Sequence, residues 1–105
     1  MLFGGATAEK VLLYLASYGE AYAKEIADRF SIPFSMVQKQ LIKFEAAGLL
    51  SSQSKGRTRV YGWNPRFPLR REALALFERA LEFLPEDERQ QYFRGRRRPR
   101  RPGKP

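Results

Sequence analysis

Apolar side chains recur along the first half of the chain with the period of an α-helix. The first such segment, with Thr7 as its N-terminal cap, extends to about Tyr18 and is apolar on nearly every side, which indicates burial on more than one face. A second segment, residues 23–30, places four apolar side chains on one face: Ala23, Ile26, Ala27 and Phe30. Residues 31–33 interrupt the pattern, because proline disfavours helix at the residue before it. We therefore predict two helices, with a short strand at residues 21–22 between them.

A third helix is predicted over residues 34–47. At about 100° per residue, Val37, Leu41 and Phe44 fall on one side, and Phe34 falls close to them. The opposite side carries Ser35, Met36, Lys39 and Lys43. Gly48 follows at the place where a glycine commonly ends a helix. We expect the apolar side to anchor this helix in the core and the other side to face solvent.

Residues 50–63 are predicted to form a β-hairpin, with strands at about 50–54 and 58–63. The strands are joined across Lys55, Gly56 and Arg57, where the glycine supplies the permissive backbone that such a turn requires. Two prolines make residues 64–68 a rigid connector.

A fourth helix is predicted over residues 69–84, and a short acidic helical turn over residues 86–93. Two apolar stripes run along the fourth helix: Leu69, Ala73, Leu76, Ala80 and Phe83, and beside them Leu74, Phe77, Leu81 and Leu84. Together they are wider than the roughly 100° that one packing face needs. The predicted fold class is therefore mainly α with a small β-hairpin, in which four main helices form one domain over residues 1–93.

Composition excludes several classes of chemistry. The sequence has no cysteine and no histidine, so we expect no disulfide, no metal site and no cofactor. It also lacks the commonest general base and shows no nucleophile beside one, and we expect no enzymatic activity. Apolar runs are far shorter than the roughly 20 residues that cross a bilayer, and no signal peptide is visible. We expect a cytoplasmic, nucleoid-associated protein without membrane contact.

Positive charge is concentrated in two segments of this chain, whose formal net charge is +9. Residues 35–71 hold eight basic side chains against one acid, Glu45, and residues 94–105 hold seven basic side chains and no acid. By contrast, residues 72–93 hold two basic side chains against six acids. Such segregation favours a polyanionic partner, because each phosphate that is neutralised releases condensed counterions. Nucleic acid is the leading candidate.

The order of elements resembles the winged helix-turn-helix family, in which a helix-turn-helix is followed by a β-hairpin called the wing. The residues that carry the resemblance are 23–27, 31–33, 37–41 and 45–50. The chain is more closely similar to ArsR-like winged helices, including those associated with nucleotidyltransferases, which residues 2–4 and 64–69 resemble. Metal-sensing members use cysteine or histidine ligands, which this chain lacks, and no nucleotidyltransferase domain is visible. Neither metal sensing nor nucleotidyl transfer is therefore implied.

The resemblance makes residues 34–47 the recognition helix, whose N-terminal part reads base edges in the major groove of double-stranded DNA. Its candidate DNA-binding side chains are Ser35, Met36, Gln38, Lys39, Gln40 and Lys43. We expect Lys39 to pair with guanine, Gln40 with adenine and Met36 with a thymine methyl, and Lys43 to contact phosphate. The alternative is a helix face that is merely solvated.

The wing supplies the remaining candidates for contact with duplex DNA: Lys55, Gly56, Arg57 and Arg59. They are expected on the backbone or in the minor groove, although charge at a hairpin also protects a sheet edge from aggregation. Arg66, Arg70 and Arg71 either extend this patch or cap the fourth helix. Aromatic residues such as Phe34 and Trp63 are expected to pack rather than to stack on bases.

Residues 94–105 are predicted to form a disordered basic tail that partly resembles an AT-hook. Its candidate nucleic-acid contacts are Arg94, Arg96, Arg97, Arg98, Arg100 and Arg101. DNA binding, RNA binding and simple solubilisation all fit this composition.

The width of the apolar surface predicts a homodimer with an interface formed by Leu12, Leu13, Leu76, Ala80 and Phe83. We expect a sequence-specific transcriptional regulator that binds a palindromic operator as this dimer. The alternative is a winged-helix module that docks a separately encoded enzyme, such as a nucleotidyltransferase, through the fourth helix, while the basic tail binds RNA or DNA non-specifically.

Overall fold

The computed structural model describes residues 6–93, which form five helices and a three-stranded sheet. In chain order the elements are α1 (Ala6–Tyr18), β1 (Glu20–Tyr22), α2 (Ala23–Phe30), α3 (Phe34–Ala46), β2 (Leu50–Lys55), β3 (Thr58–Trp63), α4 (Arg70–Glu82) and α5 (Glu86–Phe93). The predicted mainly α fold with a winged helix-turn-helix is confirmed. Thr7 lies inside α1 rather than at its cap, and α4 is shorter than predicted at both ends. The predicted tail at residues 94–105 lies outside the described residues.

The sheet is antiparallel in the order β1-β3-β2, so that β3 pairs with both other strands. Ala21 lies opposite Tyr61 in one pairing, and Leu50 lies opposite Trp63 in the other. These four side chains are buried, because they lie on the sheet face that packs towards the helices. The predicted short strand therefore completes the sheet behind the wing.

Helix α1 lies at the centre of the core, in contact with each of the other helices. Its fully buried side chains are Val11, Leu12, Tyr14 and Leu15. Leu12 is 1% exposed, so the prediction that it forms a subunit interface is wrong. The apolar surface of α1 that suggested such an interface is covered by α3 and α4 of the same chain.

The turn between α2 and α3 fixes the angle of the helix-turn-helix. Ser31 has a φ of 56°, in the left-handed region that ends many helices. The next amide, that of Ile32, donates a hydrogen bond to the carbonyl oxygen of Ala27 at 3.0 Å. Pro33 then provides the first acceptor of α3, bonded to the amide of Met36 at 3.1 Å. The local sequence therefore both ends α2 and starts α3.

The end of α3 is linked to the wing by a second left-handed residue. Gly48 has a φ of 87°, and the amide of Leu49 donates a hydrogen bond to the carbonyl oxygen of Phe44 at 3.0 Å. This is the Schellman arrangement expected of a glycine at the end of a helix. The side-chain amide of Asn64 donates to the carbonyl oxygen of Gly48 at 2.9 Å. The connector after β3 is therefore tied to the start of β2.

No helix within residues 6–93 is long and apolar enough to span a bilayer.

Candidate nucleic-acid interface

Helix α3 presents a polar and basic face to solvent. Val37 and Leu41 are completely buried and Phe44 is half-buried, so the predicted anchoring side faces the core. Five of the predicted DNA-binding side chains are exposed: Ser35, Met36, Gln38, Lys39 and Lys43. The fold therefore leaves them accessible to a ligand as large as a DNA duplex.

Gln40 differs from the other side chains predicted to contact bases. It is only partly exposed, and its Oε1 atom is buried without a hydrogen-bond partner among the described residues. Reading adenine requires both the amide oxygen and the amide nitrogen at the base edge. Gln40 lies about 60° from the buried Val37 around the helix, so its side chain faces partly inward. This position is inconsistent with the predicted pairing of Gln40 with adenine.

A cleft of about 480 Å³ separates α3 from the wing and the start of α2. Its apolar part includes Tyr22, Phe34 and Ile42, which are all exposed, and Lys24 and Arg57 contribute cations. Phe34 is 46% exposed, so the expectation that it packs in the core is wrong. It belongs to the first turn of α3 and faces the cleft instead. Apolar side chains beside cations suit the methyl groups and sugars that adjoin phosphates in a DNA groove.

The wing tip is a two-residue loop, Gly56 and Arg57, between Lys55 and Thr58. Gly56 has a φ of 64°, which explains why glycine is favoured here. The hydroxyl of Thr58 donates to the carbonyl oxygen of Lys55 at 2.9 Å and closes the turn. Both cations of the tip are exposed. The Nζ atom of Lys55 lies 3.9 Å from a carboxylate oxygen of Glu20. This exposed ion pair contributes little to stability, so Lys55 can readily bind a phosphate instead.

Arg59 is exposed but is held against the hairpin. Its guanidinium donates to the hydroxyl of Ser52 at 2.9 Å and to that of Ser54 at 3.4 Å. Ser52 in turn donates to Glu45 at 2.6 Å, which joins the wing to the last turn of α3. Arg59 therefore ties β3 to β2, and Arg57 lies exposed at the wing tip, where it lines the cleft beside α3.

The electrostatic balance of this surface follows from these contacts. Glu45 is the one acidic side chain between residues 35 and 71, and it is half-buried and engaged by Ser52. Burial raises the pKa of the neighbouring Tyr61, and the carboxylate of Glu45 raises it further. Arg66, Arg70 and Arg71 are exposed on the connector and at the start of α4. Their place in a nucleic-acid contact stays a prediction. Among residues 6–93, no group of three or more acidic side chains is arranged to hold a metal ion.

The structure also reveals a polar network that the sequence analysis missed. The hydroxyl of Tyr14, which is buried, donates to Glu25 at 2.7 Å. Arg29 donates to the hydroxyl of Tyr18 at 3.0 Å and to the carbonyl oxygen of Tyr92 at 2.9 Å. These bonds join α1, α2 and α5. The only local signal was the three-residue spacing of Tyr22 and Glu25, typical of a capping interaction at a helix start.

Comparison with known proteins identifies the fold. No family model matches the sequence, and no curated protein matches it. AF1382 from Archaeoglobus fulgidus is similar in structure, with a TM-score of 0.60 and 20% identity over 75% of this chain and 89% of that chain. An apo form of ZitR from Lactococcus lactis gives a TM-score of 0.56 and 22% identity over 78% and 70% of the two chains.

AdcR, an adhesin competence repressor from Streptococcus pyogenes, gives a TM-score of 0.54 and 17% identity over 80% of this chain and 70% of that chain. ZitR is described as a zinc-responsive MarR family member. The comparisons therefore support a winged helix-turn-helix without supporting the predicted ArsR-like subgroup. At these identities, what the chain shares with its structural neighbours is the winged-helix fold.

Proposed function

We propose that the chain is a dimeric transcriptional regulator that binds double-stranded DNA in a sequence-specific manner. Helix α3 enters the major groove, and the wing lies on the backbone or in the adjacent minor groove. The observation that carries this proposal is that Lys39 and Lys43 on α3, like Lys55 and Arg57 at the wing tip, are exposed. AdcR, which is named a repressor, has a similar fold, and this likeness supports the proposal.

Base reading is assigned to the N-terminal half of α3. Lys39 reaches a guanine, Met36 meets a thymine methyl, and Ser35 and Gln38 complete the contacts with base edges. Lys43 lies one turn further along and neutralises a phosphate. Gln40 is left out, because its amide oxygen is buried.

The wing adds contacts that depend less on sequence. Arg57 in the loop and Lys55 at the end of β2 bind phosphates, or Arg57 enters a narrow minor groove. Gly56 allows the backbone to approach the duplex closely. Arg59 reaches the duplex only at the edge of the wing, since it is bonded to two serines.

A two-fold dimer presents two copies of α3 to one face of the DNA. The half-sites are then about 34–36 Å apart, which is one helical turn, and the operator is palindromic. Leu13, Ala80, Leu76 and Phe83 remain the predicted interface residues, since all four retain exposed surface.

The proposal is tested by selecting bound fragments from the host's genomic DNA and measuring affinity for one selected duplex at several salt concentrations. The double variant Lys39→Ala/Arg57→Ala should lose at least about tenfold in affinity. The slope of log affinity against log salt concentration should become shallower by roughly one for each phosphate contact that is lost. Lys10→Ala/Arg89→Ala removes the same charge from α1 and α5, outside α3, the wing and the connector, and serves as the control. Equal affinity for the wild type and the first variant would contradict the proposed site.

The predicted tail is tested by repeating the selection without residues 94–105. We propose that its six arginines add phosphate contacts that depend little on sequence. The truncated chain should then select the same sequences with a lower overall affinity, and an RNA target retained only by the full chain would instead favour RNA binding.

The second candidate function is docking of a separately encoded enzyme through α4. The observation that favours it is the exposed apolar side of that helix, where Leu76 is 49% exposed. A stoichiometric protein partner that is lost with Leu76→Asp and retained with Lys39→Ala would support docking over DNA regulation.

A further inference from the structure

The exposed side of α4 has the spacing of a coiled-coil seam. Leu69, Ala73, Leu76, Ala80 and Phe83 follow one another at alternating intervals of four and three residues. This is the repeat of the a and d positions in a heptad, with alanine at a and a large side chain at d. Leu69 and Leu76 are exposed, and Phe83 is 75% exposed.

The opposite side of α4 is already occupied. Phe77 is buried and packs on Trp63, with 5.6 Å between the ring centroids. Leu74 and Leu81 are half-buried against the core. Helix α4 therefore cannot rotate to bury the row of residues 69, 73, 76, 80 and 83 without exposing Phe77. No other element among the described residues covers this row.

The alternation of small and large side chains selects the direction of a partner helix. In a parallel pair, alanine would face alanine and leave a gap between the helices. In an antiparallel pair, a and d positions share layers, so that each alanine faces a large side chain. An antiparallel second copy of α4 is thus complementary to this one.

We infer that α4 pairs antiparallel with α4 of a second copy of this chain, in a register that places Ala73 against Leu76 and Leu69 against Ala80. This inference rests on the proposed dimer and specifies its geometry. A two-fold axis then crosses the helix pair between positions 74 and 75, and each contact occurs twice.

Charge complementarity supports this register. Glu72 precedes Ala73, and Arg79 follows Leu76 by three residues, so both flank the same layer of the antiparallel pair. Glu72 of one copy therefore faces Arg79 of the other, and the reciprocal pair forms as well. In the single chain, Arg79 has an exposed ion pair with Glu82 at 3.7 Å and lies over the ring of Phe83, 5.4 Å from its centroid. The exposed ion pair contributes little to stability, so that Arg79 can exchange it for Glu72 of the second copy.

An apolar groove beside α4 provides further surface that a second copy can cover. The groove has a volume of about 310 Å³ and runs beside the N-terminal half of α4, where the axis lies. Phe44, Leu49 and Phe67 form its far wall, and Leu12 forms part of its lining. In the proposed register, Phe83 of the second copy extends one turn beyond the start of α4 and reaches Phe67.

The register is tested by disulfide trapping, which is clean because the chain has no cysteine. Leu69→Cys and Ala80→Cys are prepared separately in the full chain, mixed in equal amounts and mildly oxidised. The mixture should give covalent dimers, since the two positions share a layer. Each variant alone should stay uncrosslinked, because like positions lie roughly 16 Å apart along the axis at about 1.5 Å per residue, beyond disulfide reach.

The other outcomes each overturn the inference. Crosslinking of Leu69→Cys alone would show a parallel pair. Crosslinking of Ala80→Cys with Leu76→Cys, and not with Leu69→Cys, would show the register shifted by one heptad. A monomeric mass of 12.2 kDa by light scattering for the wild type at all concentrations would remove the pair altogether.

Charge reversal provides an independent readout on the folded, uncrosslinked protein. Arg79→Glu should weaken dimerisation about tenfold through two like-charged contacts, and adding Glu72→Arg should restore most of the loss. An additive effect of the two changes would contradict the pairing. If the chain binds a palindromic duplex as a dimer but the disulfides do not form, the register is wrong and the proposed function still stands.

Discussion

The hydroxyl of Tyr14 donates a hydrogen bond to Oε2 of Glu25 at 2.7 Å, and the other oxygen of the same carboxylate accepts from the backbone amide of Tyr22 at 3.2 Å. Glu25 therefore fixes the start of α2 and ties it to the central helix α1. Because α2 and the turn after it set the angle of α3, this pair acts at a distance on the proposed DNA-binding face.

Tyr14→Phe should lower the free energy of unfolding by about 1 kcal/mol, because it removes a hydrogen bond to a charged group and leaves the ring in place. Chemical denaturation monitored by circular dichroism measures the change. Tyr22→Phe is the control, since its ring is exposed and should change stability by less than about 0.5 kcal/mol. Equal stability of Tyr14→Phe and the wild type would show that the hydrogen bond from Tyr14 to Glu25 does not stabilise the fold.

Stability should also fall at high pH. Burial, followed by the bond to Glu25, raises the pKa of Tyr14 above its usual value of 10.0. The folded state therefore retains a proton that the unfolded chain releases, so this contribution is complete below about pH 10 and declines as the pH rises further. Urea denaturation between pH 8 and pH 11 should show a decline in the wild type that is shallower in Tyr14→Phe. Parallel curves would contradict this assignment.

Local signals in the sequence account for most of the fold. Pro33, Gly48 and Gly56 mark the ends of elements because their backbones restrict or permit conformations that few other residues share. The anchoring of α3 followed from spacing, since Val37 and Leu41 recur with the helical period.

The remaining features depend on contacts between distant residues. No local pattern separates the buried Leu12 from the half-buried Leu13, because their burial is decided by α3 and α4. Phe34 is as apolar as Phe44, yet its place in the first turn of α3 turns it to the cleft. The contact of Arg29 with the carbonyl oxygen of Tyr92 joins residues 63 positions apart in sequence, beyond any periodicity.

The two wing arginines should behave differently. Arg57→Ala should lower DNA affinity and reduce the slope of log affinity against log salt concentration by roughly one, because its side chain is exposed at the wing tip. Arg59→Ala should reduce the slope less, because Arg59 is bonded to Ser52 and Ser54. Anisotropy titrations at three salt concentrations compare the two variants. A larger change in slope for Arg59→Ala would reverse their assigned roles.

The wing tip should tolerate asparagine better than alanine at position 56. Gly56 has a φ of 64°, where a side chain costs about 1 kcal/mol or more, although a Cβ atom there meets no other atom within 4 Å. Gly56→Ala should therefore destabilise the hairpin through backbone strain alone, and Gly56→Asn should do so less because asparagine adopts this conformation more readily. Thermal unfolding of both variants measures the difference. Identical midpoints would rule out strain as the reason for this glycine.

The exposed face of α3 and the wing tip are proposed to contact duplex DNA together. Lysine acetylation followed by mass spectrometry, with and without a selected duplex, tests this contact on the unaltered protein. Lys39, Lys43 and Lys55 should become several-fold less reactive in the complex, and Lys10, which lies on α1 over the ring of Phe30, should not change. Unchanged reactivity of the three lysines in the complex, or protection of Lys10 instead, would show that this face does not contact the duplex.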